Sequence, residues 1–390
     1  MPQRLSFFKK DLWFYTIAIL LYGLFYWLSI PRDYSECSLC DAHQYTKLFE
    51  YFKFGTISQI KFPFYNRPLI PWLSSLIPGS DIKLHFDVIN FLFFLPSLWI
   101  IRKLWNELEL KAWAQGLGFM WLLVHWTGII RYNLYDPVTV DVPLYFFQTL
   151  GFLLFIRKDY KWFFIVVPFA LLQKESFLVE MLVLVVIHFI YHWRNEPWRN
   201  GKYLVLATIT GVVIQKLILA LLPGQLDQRS SFDAILYHGH LVIQDPTRFV
   251  RWFAAMGSAF GLIPIFIFVN FRRTKFQSST YSTLVLLCLM YGSFGLLAGE
   301  DMTRILFLGF PFIMTLSLME IQKSKSWPVV LTIFLSLVSL RISPFQIDAK
   351  WSVDYAEMSY VYSWAIYYLM STIILLIFFF FHNKRSQPIN

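Results

Sequence analysis

A polytopic, all-α bundle of roughly twelve membrane spans is the fold this sequence predicts. Three observations predict it. Apolar residues make up 57% of the 390 and charged residues only 15%, whereas a soluble domain carries about 25% charged residues. The chain thus has too little polar surface to cover a water-facing globule of its size. Apolar runs approaching the roughly 20 residues that a span needs recur from end to end. The segments between them alternate in charge.

The runs fall at 12–30, 84–101, 113–130, 139–156, 162–172, 177–191, 203–222, 250–270, 281–298, 305–318, 327–340 and 361–381. The first is too long for a signal-peptide core and has no small-x-small site before Pro31, so it is expected to stay as a span. The fifth, sixth and tenth are short. They are expected to be tilted, half-buried or broken around the polar pair Lys174–Glu175, and a re-entrant hairpin there would keep the same topology. No linker or composition shift divides the chain, which reads as one membrane domain over 1–390.

Lys and Arg near span ends collect on the cytoplasmic side. One set of segments, around Arg4, Arg102, Arg157, Arg194, Arg272, Lys323 and Lys384, holds 19 basic residues and 6 acids. The other holds 14 basic residues and 18 acids. The pI of 9.3 is therefore an orientation signal and not a nucleic-acid footprint. It puts both termini in the cytoplasm of a multi-pass plasma (inner) membrane protein. The cytoplasmic segments are short connectors. The outer ones include the long stretches 31–83, 223–249 and 341–360, so any chemistry is expected on the outer face.

The first outer loop, 31–83, is the most informative. Tyr45, Leu48, Phe49 and Phe52 recur at i, i+3, i+4 and i+7, one stripe of a short amphipathic helix suited to lie in the interface, which Gly55 would stop. Asp41 precedes it, as an N-cap or as a functional carboxylate. In FYNRPLIPWL, Pro68 suits a first helical turn and Arg67 sits before it, with Leu69, Trp72, Leu73 and Leu76 facing the membrane surface. Asp136-Pro137 signals a helix start, and Asp141 lies near the positive end of that helix dipole. Capping accounts for Asp136 but not for two acids beside Arg131.

Ionisable residues at membrane depth usually face a cavity or a partner. Lys174, Glu175 and Glu180 lie between apolar runs, and Lys216 is about six residues below the outer end of its helix. Glu180 and Lys216 are expected to form a buried pair, with snorkelling as the alternative for Lys216. Glu300, Asp301 and Arg304 lie at the outer mouth of the tenth run, where an arginine can clamp a phosphate by paired hydrogen bonds or simply pair with its neighbouring acids.

Cys37 and Cys40 form a C-S-L-C element on the outside, where disulfides persist. Disulfide or free thiols is the favoured reading over zinc, because no second Cys/His pair follows. His238 and His240 in YHGHL are surface candidates for metal or phosphate, with plain loop residues as the favoured reading. No Gly-rich phosphate loop, HExxH or GxSxG is present. No metal and no cofactor are expected, and nothing indicates a divalent cation. No internal repeat is evident, which weighs against a transporter.

Several of these elements together resemble the GT-C superfamily of membrane glycosyltransferases. CDAHQYTKLFEYFKFG is similar to that family's first-loop D-x-x-x-Y pattern and following amphipathic helix, with Asp41 and Tyr45 in those places. FYNRPLIPWL is similar to the R-P-L segment of the same loop, LYDPVTVD to the later acidic loop, QKESFL to the K-E-[ST] element, and EDMTRILFLGFP to the late arginine followed by proline. The likeness runs the length of the chain through few residues. The chain departs from large members in lacking a C-terminal soluble domain, and its CxxC lies outside the pattern.

The resemblance implies a hexosyltransferase that moves sugar from a polyprenyl-phosphate donor to an envelope acceptor (glycan, lipid or protein) at the outer face. A lipid phosphate is a fair leaving group, so such an enzyme needs one carboxylate to take the acceptor proton and fixed cations to hold the phosphate. Asp41 is the expected base. Arg304, Lys174 and Arg67 are expected at the phosphate, with Asp136, Asp141, Glu175 and Tyr45 positioning the acceptor, the base or an ion. The alternatives are a lipid-linked polysaccharide polymerase or ligase, and a non-enzymatic transporter or flippase.

Overall fold

A computed structural model of the chain describes residues 2–36, 40–192, 201–223, 231–271, 278–324, 326–342 and 352–384. Among these residues there are eighteen α-helices and no strand. The chain begins with α1 (Pro2–Leu28), α2 (Asp41–Phe54), α3 (Leu69–Ser75), α4 (Ile82–Glu107), α5 (Ala112–Val124) and α6 (Arg131–Tyr135). It continues through α7 (Asp141–Arg157), α8 (Phe163–Gln173), α9 (Ser176–His192), α10 (Gly201–Leu221), α11 (Ser231–Gln244) and α12 (Thr247–Phe260). It ends with α13 (Ile265–Phe271), α14 (Ser279–Leu297), α15 (Met302–Leu308), α16 (Phe310–Ile321), α17 (Ser326–Ser336) and α18 (Met358–Lys384).

Among the described residues four helices are long and apolar enough to cross a membrane: α4, α10, α14 and the Met358–Phe380 part of α18. A fifth results if α15 and α16, bent by 68° at Gly309, count as one broken span. Shorter apolar helices at Leu12–Leu28, Ala112–Val124, Tyr160–Gln173, Ser176–Tyr191 and Ser326–Leu340 complete the apolar set. Leu206, Ile209, Val213 and Leu217 of α10 are about half exposed. They repeat at helical spacing, so one apolar face of α10 is left uncovered by the described residues, as suits a helix long enough to span a membrane.

The elements differ from the sequence pattern where backbone packing overrides it. The apolar run 250–270 is two helices, because Gly261 between α12 and α13 has φ +60° and a side chain there would meet Ser336 at 2.4 Å. The run 113–130 stops at Val124, and 305–318 breaks at Gly309. The stretch 223–249, expected as an outer loop, contains a helix of its own, α11.

The α2 stripe does not face the membrane as expected. Tyr45, Leu48 and Phe49 are fully buried, against α3 and neighbouring elements. An amphipathic helix buries its apolar face wherever apolar surface is offered, and here protein offers it. Gly55 does end α2, at φ +73° with its N–H on the Tyr51 carbonyl. In α3, Leu69 is buried while Trp72 and Leu76 are exposed. At the centre runs α7, buried on nearly every side and packed against α4, α8, α9, α15 and α16. Its first residue is Asp141, so the bundle's axis begins in a carboxylate.

Candidate functional site

At the end of the bundle that carries the 31–83 loop, six chain segments bring their ionisable side chains together. The local sequence explains how each arrives. Gln173 Nε2 donates to the Val140 carbonyl. This ties the last residue of α8 to the residue before α7 and sets Lys174 beside Asp141. Asn90 Nδ2 donates to the Pro137 carbonyl at 3.0 Å, which pins the turn between α6 and α7 to α4. Thr303 gives its backbone N–H and its hydroxyl to Asp354 Oδ1, both at 3.0 Å, which fixes the start of α15 one residue before Arg304.

Arg304 is the hub. Its Nε donates to Asp141 Oδ2 at 2.5 Å. Its Nη1 faces Asp41 Oδ2 at 3.4 Å and Asp301 Oδ2 at 3.5 Å. The guanidinium stacks over the Tyr132 ring, 4.8 Å from its centroid, a cation–π contact. Lys174 Nζ takes the other oxygen of Asp141 at 3.2 Å. One buried carboxylate thus holds two cations, one on each oxygen.

Alongside, Arg67 forms a paired contact with Glu175, Nη2 to Oε1 at 2.6 Å and Nε to Oε2 at 2.9 Å. Its remaining Nη1 donates to the Tyr45 hydroxyl at 3.1 Å. Burial alone would raise the Glu175 carboxyl, but the charge and hydrogen bonds of Arg67 outweigh it and hold that carboxyl below its ordinary value. On the opposite flank, Asp136 accepts from Tyr34 at 2.8 Å and meets Arg32 at 3.5 Å. Burial pushes Asp136 up, with Arg304, Tyr34 and Arg32 opposing.

Exposure separates the acids. Asp41 keeps 38% of its side chain open, Asp301 24% and Glu175 19%, while Asp141 and Asp136 keep 4% each. Asp41 is the carboxylate that a molecule arriving from outside the bundle would meet.

Several expectations need correction. Asp41 is not an N-cap: Cys40 holds that position, no side chain caps, and Asp41 is the first residue of α2. Asp136 likewise ends α6 without capping α7, whose N-cap position is Val140. Arg131 is not beside the acids. Its Nη1 donates to the carbonyls of Leu340 and Arg341, at 3.2 and 2.7 Å. Glu300 points away from Arg304 and faces Arg248 at 3.4 Å.

Glu180 and Lys216 do not form a buried pair. Glu180 is fully buried, near Gly151 of α7 and Tyr291 of α14, and both its oxygens lack a hydrogen-bond partner. Lys216 is on the exposed face of α10.

The pairing of Arg304 with a neighbouring acid, which the sequence offered, holds for Asp301. One contributor escaped the sequence reading. Asp354 lies in a loop with no periodic signal; it is buried and its Oδ2 has no partner. Burial and the nearby Asp301 push it up to about 8. Cys40 is disulfide-bonded, while Cys37 lies outside the described residues. No group of three or more His, Cys, Asp or Glu side chains among the described residues could hold a metal.

Comparison of the chain with protein-family models, with curated proteins and with solved structures finds no match.

Proposed function

We propose that the chain is a GT-C-like membrane glycosyltransferase of about twelve spans, with its site at the outer face and a polyprenyl-phosphate sugar as donor. The observation that carries this reading is the meeting of Asp41, Asp141, Lys174 and Arg304 from four distant parts of the chain. Asp141 is enclosed and already serves two cations, so its part is to position them. Asp41 is the most exposed of these carboxylates, and in this reading it accepts a proton from an acceptor hydroxyl.

A phosphate would be held by the donors that the carboxylates leave over. Arg304 Nη2 has no hydrogen-bond partner among the described residues, and Lys174 has one partner for three N–H bonds. As the bond from sugar to phosphate breaks, negative charge grows on the phosphate, and these fixed cations would stabilise it without reorganising. Arg67, paired to Glu175 and Tyr45, would shape the wall of the site.

The test is to give purified protein a panel of polyprenyl-phosphate sugars with and without hydroxyl acceptors, and to measure release of the lipid phosphate. Turnover with at least one donor, lost in D41N, is expected. Lack of turnover with all donors, in protein shown to be folded, would sink the reading. Glu180 favours a second reading, an ion-coupled transporter, because it is an unpartnered carboxyl deep in the bundle. Uptake into proteoliposomes that E180Q abolishes would select it.

A further inference from the structure

Away from the ionic site, a polar pocket opens beside the exposed side of α10. A cavity of about 220 Å³ is lined by Tyr65, Asn66, Lys216, Leu219 and Ala220. Tyr65 builds its wall. The Tyr65 hydroxyl donates to the Leu219 carbonyl at 2.7 Å and also reaches the Leu222 carbonyl. Those carbonyls lie at the end of α10, where helical partners run out, so the bond fastens the 31–83 loop to that end. The same bond leaves Asn66 and Lys216 on one cavity.

The charges here contrast with the ionic site. There, each cation meets a carboxylate. Lys216 makes no ion pair and no hydrogen bond among the described residues, and the Asn66 amide is equally unspent. Among the described residues no carboxylate lines the cavity. Beside and below the lysine runs the exposed apolar row Leu217, Val213, Ile209 and Leu206. Lys216 is five residues from the end of α10, a depth of about 7.5 Å at 1.5 Å per residue. Its stem can cover that and bring the ammonium to the head-group level.

We infer that this pocket binds the phosphate of an anionic glycerophospholipid from the leaflet on that side of the membrane. Lys216 supplies the charge and the Asn66 amide donates a second hydrogen bond. The acyl chains lie along the apolar row of α10. A free phosphate ion would use the same two groups but gain nothing from that row. The inference needs only that α10 faces lipid; it is independent of the transferase reading.

Native mass spectrometry of the full-length protein, delipidated and titrated with phosphatidylglycerol, tests it. One tightly held lipid is expected, bound about tenfold less well in K216M, since a hydrogen bond to a charged group is being lost. K216R should retain binding. K202M, which removes the exposed lysine at the other end of α10, should match the parent protein. Inorganic phosphate at equal concentration should not displace the lipid. If K216M binds as the parent does, or the parent holds no lipid, the pocket is not a lipid site. If inorganic phosphate displaces the lipid, the site serves a soluble anion and the inference also fails. Lys216 is exposed, so its variants are expected to melt with the parent, which the same samples can confirm.

Discussion

Asp141 and Arg304, 163 positions apart, meet at 2.5 Å where two helices begin. The pair is enclosed: 4% of the aspartate and 12% of the arginine side chain are open. Removing one partner of such a pair strands the other charge, at a cost of about 3–5 kcal/mol. R304M and D141N should each lower the melting temperature sharply. R304K keeps the charge but loses the planar fork and should weaken donor binding about tenfold or more. If R304K binds donor normally, Arg304 only holds helices together.

Asp41→Asn separates chemistry from architecture. The variant keeps the shape at the first residue of α2 and removes the proton acceptor. Transfer should fall about a hundredfold or more, with donor binding and melting temperature retained. Asp33 is the control, since its Oδ1 serves only Ser35, at 2.9 and 2.8 Å. D33N should be silent. Full activity in D41N would remove Asp41 from the chemistry.

The carboxyl of Asp354 sets a pH dependence. It is pushed from 3.8 to about 8, so between those values the native protein holds a proton that the unfolded chain has released. Stability then falls as pH rises through that window and levels off above it. D354N has no proton to lose and keeps an acceptor for Thr303. Its melting temperature, followed from pH 5 to 8, should change less than that of the parent. Parallel profiles would mean that the native carboxyl titrates near its ordinary value.

Glu180 and Lys216 should behave as strangers. They sit in different surroundings, one enclosed and one on the lipid face. The stability changes of E180Q and K216M should add to within about 0.5 kcal/mol in the double variant. A coupling above about 1 kcal/mol would restore the pair.

Sidedness can be read by labelling. Ser35 and Lys158 are both exposed, at opposite ends of the expected topology. In a C288S background, S35C should react with an impermeant maleimide in intact cells and K158C only after permeabilisation. The reverse pattern would invert the site.

Much of this was legible in the sequence because spacing and charge fix height along a helix. Asp41, Arg67, Lys174 and Arg304 all fall in segments that the charge pattern puts on one side, and they do converge. Rotation about a helix axis is set by packing, and it was not legible. Glu180 and Lys216 were matched by depth, yet their helices turn them apart. The α2 stripe was correctly found, but whether lipid or protein would cover it depends on elements far along the chain. Asp354 acts through a loop, where no periodicity speaks.

The 68° bend at Gly309 makes α15 a short crank with a charge near its tip. Arg304 is five residues from the bend, about 7.5 Å at 1.5 Å per residue, so turning the crank by about 10° would swing its backbone by more than about 1 Å. That is a large fraction of the 2.5 Å contact with Asp141. The bearing is Tyr291 of α14, which a side chain at position 309 would strike at 2.5 Å. Tyr291 thus backs the bend, five residues from the guanidinium that α15 carries.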